Sequence, residues 1–360
     1  MALKVGIVGM GGIGNTHANC YKNDELAELI AVCDIIKEKA DGAAERLGVQ
    51  AFYSLQDMLK AHPEIDIIDV TTSGYENGGW HYEPSMEALN AGKNVLVEKP
   101  MSNDITEARE LVALAHKKDV YLGCNLNHYF TDVADKAFEY INNGQIGEPL
   151  YLMQKMALEG GESKYGGKGS PRWQSPYSHV KAFLAHPFSI LRRFGGNITH
   201  IQAFLDKSGF KKTAGDIMLS LNSVHCRFEN GSVGYLLSLR GDGRFGLGGW
   251  WSFEMAGTKG TLAIENCVEK ITYWETDKEK EPQIMNTGTT DFGNTFPRRI
   301  HAFLEDVTNG VSKEFIRASG YDALATLEYT FAVIESYEQG GALVRPAALP
   351  NRHGDPSVVW

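Results

Sequence analysis

Residues 4–14 read Lys-Val-Gly-Ile-Val-Gly-Met-Gly-Gly-Ile-Gly, which places Gly9, Gly11 and Gly14 in G-x-G-x-x-G spacing directly behind an apolar run at 3–8. That run predicts a buried strand, and each glycine has a structural task after it. Gly9 allows a tight turn, Gly11 lets backbone approach a pyrophosphate, and Gly14 lets the next helix pack on the strand. The helix, expected over about 12–22 and entered through Gly12 and Ile13, aims its free N–H groups and positive dipole end at the phosphates. A second apolar run, Leu29–Cys33, ends in Asp34, about 20 residues past the last glycine, where a carboxylate can accept from ribose hydroxyls. Strand, glycines, helix, strand and acid in this order define a dinucleotide site. Asp34 would repel a 2′-phosphate, and Ile35 and Ile36 follow it with no arginine to neutralise one, so the expected cofactor is NAD rather than NADP.

The rest of the N-terminal region continues the pattern. Strands are expected near 66–72, 94–98 and 120–124 with helices between them, an alternation that implies a doubly wound parallel sheet. After residue 124 the pattern changes. Strands near 149–158, 198–205, 216–229, 232–240, 250–256, 260–265 and 269–275 succeed one another, several joined by short turns such as Glu229-Asn230-Gly231-Ser232. Helices are expected near 131–143, 179–194, 295–309 and 321–338. The reading is therefore a Rossmann domain at 1–124 and, at 125–360, an α+β domain with a mostly antiparallel open sheet that binds substrate and supports oligomerisation. Two domains also suit a chain of 360 residues.

Composition excludes some classes of partner. The net charge of −10 argues against nucleic acid and anionic membrane surfaces. Five cysteines without a C-x-x-C pair read as reduced thiols. No apolar run approaches the length of a membrane span, and no leader pattern precedes the first strand, so the expected location is the cytoplasm. No His/Cys/Asp cluster has metal-ligand spacing, and no metal is expected. His17, His62 and His116 read as solvated residues on helix faces.

The strand ends carry the chemistry. One parallel strand ends at Val70-Thr71-Thr72-Ser73 and the next at Val97-Glu98-Lys99-Pro100, both at carboxyl edges, where open α/β sheets bind ligands. Glu98-Lys99-Pro100 behind Val95-Leu96-Val97 and the N-terminal Rossmann unit resembles the Gfo/Idh/MocA oxidoreductases, and the resemblance extends to the later switch to an antiparallel sheet. It implies that Lys99 contacts the substrate hydroxyl that loses hydride and that a histidine on the first long helix of the second domain is the acid/base. That histidine is His186, in Lys181-Ala182-Phe183-Leu184-Ala185-His186-Pro187. The family usually writes D-x-x-x-H here, with both side chains on one helix face, and this chain has Ala182 in place of the aspartate. His179, two turns earlier on the same face, and the less well aligned Lys181 are the candidates to replace it. Pro187 disfavours helical geometry at His186, so a kink or restart is expected there. An imidazole base makes oxidation rise through a pKa near about 6.5.

The resemblance further implies that Thr71, Thr72, Ser73, His81 and Glu98 line the cofactor, that Asn127 contacts cofactor or substrate, and that Arg172 and Trp173 close over the site. It also implies a cis Lys99–Pro100 bond. The aromatics Trp173, Tyr177 and Phe188 suit a pyranose face. The leading reading is NAD-dependent oxidation of a secondary hydroxyl on a sugar, cyclitol or glycoside, a small-molecule carbohydrate. The same fold also serves NAD-dependent glycosidases or lyases that oxidise transiently, and non-catalytic sugar or NAD sensors. An open sheet face predicts a homodimer or homotetramer, with Phe245–Trp251 as the apolar interface stretch.

Overall fold

The computed structural model describes residues 2–73, 80–158, 175–207, 218–240, 251–277 and 279–347, and the chain divides into two compact units. One holds the chain through Asn127 together with Phe296–Leu327; the other holds His128–Thr295 and residues from Glu328 onward.

The first unit is a six-stranded parallel sheet: β1 (Leu3–Val8), β2 (Ala27–Cys33), β3 (Gln50–Phe52), β4 (Ile67–Val70), β5 (Asn94–Val97) and β6 (Leu122–Cys124), in the order β3-β2-β1-β4-β5-β6. Between the strands run α1 (Gly12–Lys22), α2 (Lys37–Leu47), α3 (Leu55–Ala61), α4 (Tyr82–Asn90) and α5 (Ile105–Lys118). The order reverses between β1 and β4, and the glycine loop leaves β1 at that switch point, where such sheets take ligands. Local chemistry sets the helix starts: Ser54 accepts from Asp57 N–H to cap α3, and Asp104 accepts from Thr106 and Glu107 N–H to cap α5. The core joins Ile7, Val32, Ile67 and Leu96 of the sheet to Ile300, Phe303, Leu304 and Ile316, so the chain returns here late in the sequence. β3, only three residues long, is absent from the sequence expectation because so short a run shows no alternation.

The second unit opens with α6 (Asp132–Asn142), capped by Thr131, and continues through β7 (Pro149–Leu158), α7 (Ser178–Phe183) and α8 (Ala185–Gly195). Its eight-stranded sheet adds β8 (Ile198–Asp206), β9 (Leu221–Phe228), β10 (Val233–Arg240), β11 (Trp251–Gly257), β12 (Gly260–Glu265), β13 (Lys270–Glu275) and β14 (Gln283–Asn286). The order is β14-β13-β12-β11-β7-β10-β9-β8, antiparallel except for the β7–β10 pair. Burial alternates along β9 and β10, giving one covered and one open face. α9 (Thr295–Thr308) and α10 (Gly320–Glu338) complete the chain's helices among the described residues.

The kink or restart expected at His186–Pro187 is present: the helix foreseen over 179–194 is two helices meeting at Leu184, with His186 and Pro187 in the first turn of α8. Proline is tolerated there because first-turn N–H groups have no intrahelical partner. His179 and Ala182 lie on α7 and His186 on α8, with Leu184 between the two helices in right-handed helical geometry.

Candidate functional site

In the first unit the glycine loop is built to approach a ligand. Gly9 has φ +101°, and a Cβ there would come within 2.6 Å of Thr72 N. A Cβ on Gly14 would lie 1.9 Å from Gly9 O, so only glycine lets α1 start this close to the strand. Gly11 and Gly12 are different. A Cβ at either would meet nothing within 4 Å, so the chain itself leaves that space open. The first turn of α1 carries no acidic residue and no side-chain cap, which leaves its N–H groups for an anion, and Ile13 stands exposed beside them. Asp34 is buried at the end of β2. Its Oδ2 accepts from Met10 N–H and its Oδ1 from Ile36 N–H, each at 2.8 Å. A carboxylate has about four acceptor sites, so both oxygens keep capacity for a ribose diol. Lys37 is exposed in the first turn of α2, its ammonium nitrogen 5.0 Å from the Tyr53 ring.

Thr71, Thr72 and Ser73 come directly after β4. Thr71 Oγ1 donates to Gly9 O at 2.6 Å, tying the strand end to the glycine turn, and Thr72 Oγ1 donates to Trp80 O at 2.6 Å. Ser73 is exposed. His81 is buried, with Nδ1 2.7 Å from Pro100 O and Nε2 2.6 Å from Thr72 O, so it staples this loop to the turn after β5. Burial holds its imidazole below the ordinary value despite the two carbonyls and Glu98. The Lys99–Pro100 bond is cis, as the resemblance implies, and Lys99 is half-buried with its N–H on Glu98 Oε2.

Beneath that turn lies a buried charged group foreseen only in part. His17 Nδ1 is 2.8 Å from Asp69 Oδ2, its Nε2 is 3.2 Å from Glu98 Oε1, and Asn125 Nδ2 reaches both His17 and Glu98. Phe296 packs edge-on against the His17 ring. Burial works against a charge on His17, but Asp69 and then Glu98 raise its pKa to about 10. Burial alone would push the Glu98 carboxyl up. The hydrogen bond and charge of His17, then Lys99 and Asn125, reverse that and hold it below the ordinary value. His17 is thus a correction, being fully buried and ionised rather than solvated. The signal was present: Gly14, His17, Ala18 and Tyr21 form the buried i, i+3, i+4, i+7 stripe of α1, and Asp69 interrupts an apolar strand. Asn127, which ends this unit, is buried in a 3₁₀ turn (Asn127–Tyr129).

In the second unit His186 is almost fully buried and stacks on His128, with ring centroids 3.6 Å apart and planes 13° from parallel. Trp251 Nε1 donates to His128 Nδ1 at 3.0 Å. Register then extends the group along the covered sheet face, because Trp251 pairs with Met156, Met156 with Ser238, and Ser238 with Asn222. His179, fully buried, brings Nε2 to within 3.3 Å of Ser238 Oγ. Gln154, one row along, and Asn222 are fully buried. Both amide atoms of Gln154 and the Asn222 Oδ1 have no hydrogen-bond partner among the described residues. Arg240 is buried at the end of β10, its guanidinium 4.6 Å from the Phe183 ring. Polar groups are costly on an apolar sheet face unless something satisfies them, and a polyhydroxylated ligand would. Gln154, Asn222, Ser238, Arg240, His128 and Trp251 were missed because only strand register makes them neighbours.

Other expectations change. Phe188 is core, fully buried and edge-on to Tyr329 at 5.6 Å, so it offers no pyranose face. The Tyr177 hydroxyl is taken by Glu338 at 2.8 Å. Trp251 is buried on His128 rather than at an open interface, and Phe245–Trp250, Arg172 and Trp173 lie outside the described residues. All five cysteines are free, and burial pushes Cys33 up to about 12. Among the described residues no helix is long and apolar enough to cross a membrane, and no group of three or more His, Cys, Asp or Glu side chains is arranged to hold a metal.

A parallel sheet with a glycine loop at its switch point and an acid at the end of the next strand defines a dinucleotide-binding site. Residues 3–126 match the Gfo/Idh/MocA family model, described as an oxidoreductase family with an NAD-binding Rossmann fold, and NAD is the cofactor of that region. It is 25% identical to myo-inositol 2-dehydrogenase of Thermotoga maritima over 94% of this chain and 97% of that one. It is 30% identical to D-glucoside 3-dehydrogenase of Escherichia coli, over 43% of each chain. In fold it is similar to levoglucosan dehydrogenase in complex with NADH and levoglucosan, with a TM-score of 0.83 at 19% identity over 97% of this chain and 100% of that one.

Proposed function

We propose that this protein oxidises a secondary hydroxyl of a sugar, cyclitol or glycoside to a ketone with NAD. The observation that carries the reading is the E-K-P turn: a half-buried lysine at the carboxyl edge of the sheet that carries the glycine loop, braced from below by an ionised Glu98–His17–Asp69 group. The names of the relatives, which act on inositol and a glucoside, support the substrate class.

NAD bound over Gly9–Gly14 supplies the hydride acceptor, with Asp34 on its ribose. The Lys99 ammonium donates to the reacting hydroxyl and stabilises the alkoxide as the carbon loses hydride. His186 takes the hydroxyl proton as base and returns it in reduction. Asn127, His179 and the amides of Gln154 and Asn222 hold the remaining hydroxyls, and Thr71, Thr72, Ser73 and His81 shape the nicotinamide end. Arg172 and Trp173 keep their assignment to substrate from the family resemblance. The acid on the ribose also makes NAD the preferred cofactor over NADP.

The protein works in this reading as a cytoplasmic homodimer or homotetramer. Phe204, Val233, Trp274 and Ile284 are exposed on the open sheet face and support packing on a second copy. Light scattering is expected to give a dimer or larger species, and a dilution-stable monomer would exclude it. The function is tested by incubating the protein with NAD and a panel of monosaccharides, inositols and glycosides while tracking absorbance of the reduced cofactor. Saturable reduction with at least one polyol is expected. None across the panel, with NAD bound, would overturn the reading.

A further inference from the structure

We propose that His128 is the positioning residue for His186, taking by ring stacking the place of the missing carboxylate at position 182, and that Trp251 fixes His128 as a neutral imidazole. The inference rests on the reading of His186 as the base and adds what orients it.

An indole N–H is only a donor. At 3.0 Å from His128 Nδ1 it requires a lone pair on that nitrogen, which leaves the ring proton on Nε2. Protonating Nδ1 would set two donors against each other in a buried contact, so His128 does not compete for the proton. Among the described residues, His186 lies on its face, Phe292 meets it edge-on at 4.8 Å, and the Cys267 thiol donates to its carbonyl at 3.6 Å. Burial raises the Cys267 thiol well above its ordinary value, so it carries no charge.

The stack has two consequences. Nearly parallel rings 3.6 Å apart fix the plane of His186 as its first-turn position in α8 alone would not. A neutral ring face also tolerates the imidazolium that forms when His186 takes a proton, whereas a second cation there would oppose it. A carboxylate would stabilise the imidazolium more strongly.

The test is a histidine-labelled NMR titration of the whole protein, free and with NAD, beside the pH dependence of turnover. In the wild type His128 should keep its Nε2–H tautomer across the neutral range while His186 titrates. Trp251→Phe should let His128 titrate and shift the acid limb of turnover. His128→Phe keeps a stacked ring and should keep turnover within a few-fold. His128→Leu should lose about tenfold or more in turnover, the scale of a lost orientation, with NAD affinity unchanged. A wild-type His128 that titrates as an ordinary imidazole would overturn the proposal, as would a His128→Leu protein with unaltered turnover and His186 titration. The NMR arm needs no substrate. A locked His128 in a protein that oxidises no polyol rejects the dehydrogenase reading alone, and an active enzyme indifferent to His128→Leu rejects this inference alone.

Discussion

Each unit buries an imidazole, and the two meet opposite kinds of partner. His17 in the first unit faces two carboxylates, which raise its pKa to about 10. His128 in the second accepts from an indole donor, which on the proposal above holds it neutral. Their exposures are 0% and 3%, so burial does not distinguish them. The donor or acceptor character of the partner does. In the first unit the charged group lies beneath the turn that carries Lys99; in the second, on the proposal above, a neutral His128 would leave the proton to His186.

The largest expected effect comes from breaking the charged side of this comparison. His17→Leu leaves Asp69 and Glu98 as buried carboxylates without their counter-ion, which should cost about 3–5 kcal/mol in denaturant unfolding. A loss below about 1 kcal/mol would mean that the cluster is not ionised as described.

The same pair sets a pH window. With its pKa raised from 6.5 to about 10 on folding, His17 contributes stability that is full below about 6.5 and is lost as pH climbs through about 10. Glu98, depressed on folding, contributes stability present above its ordinary 4.5 and lost as pH falls through its lower folded value. Thermal unfolding should therefore plateau between these limits, and His17→Leu should flatten the alkaline arm.

On the neutral side, His186→Ala should lower turnover by about 10²–10⁴ and remove the acid limb of the rate profile. His179→Ala should retain most of the turnover and act mainly on KM. If His179→Ala is the inactive variant instead, the base lies on α7. The smallest effect sharpens the cofactor end. Asp34→Ser should narrow the preference for NAD over NADP by about tenfold, or about 1.4 kcal/mol, in paired binding titrations. Equal wild-type affinity for both cofactors would contradict the role given to Asp34.

The contrast between the units also explains what could be read from the chain. The cofactor side is contiguous, with Gly9–Gly14, Asp34 and Glu98–Pro100 each declaring its chemistry within a few residues of a strand end. Its buried helix stripe is legible too, although a titratable residue such as His17 on a helix reads as surface until Asp69 is placed beside it. The proposed substrate side is spread over His128, Gln154, His186, Asn222, Ser238 and Trp251, which become neighbours only once strands pair in register. Alternation shows which face a residue takes but not which strand lies beside it. Leu184 ends α7 and α8 restarts before His186, and only the proline hinted at that break.

The central claim is that Lys99 serves the chemistry and not the cofactor. Its most direct test is to measure NAD affinity and turnover together for Lys99→Met. The account predicts unchanged NAD binding with turnover lowered by about 10² or more. A near-wild-type rate, or loss of NAD binding in step with activity, would contradict it.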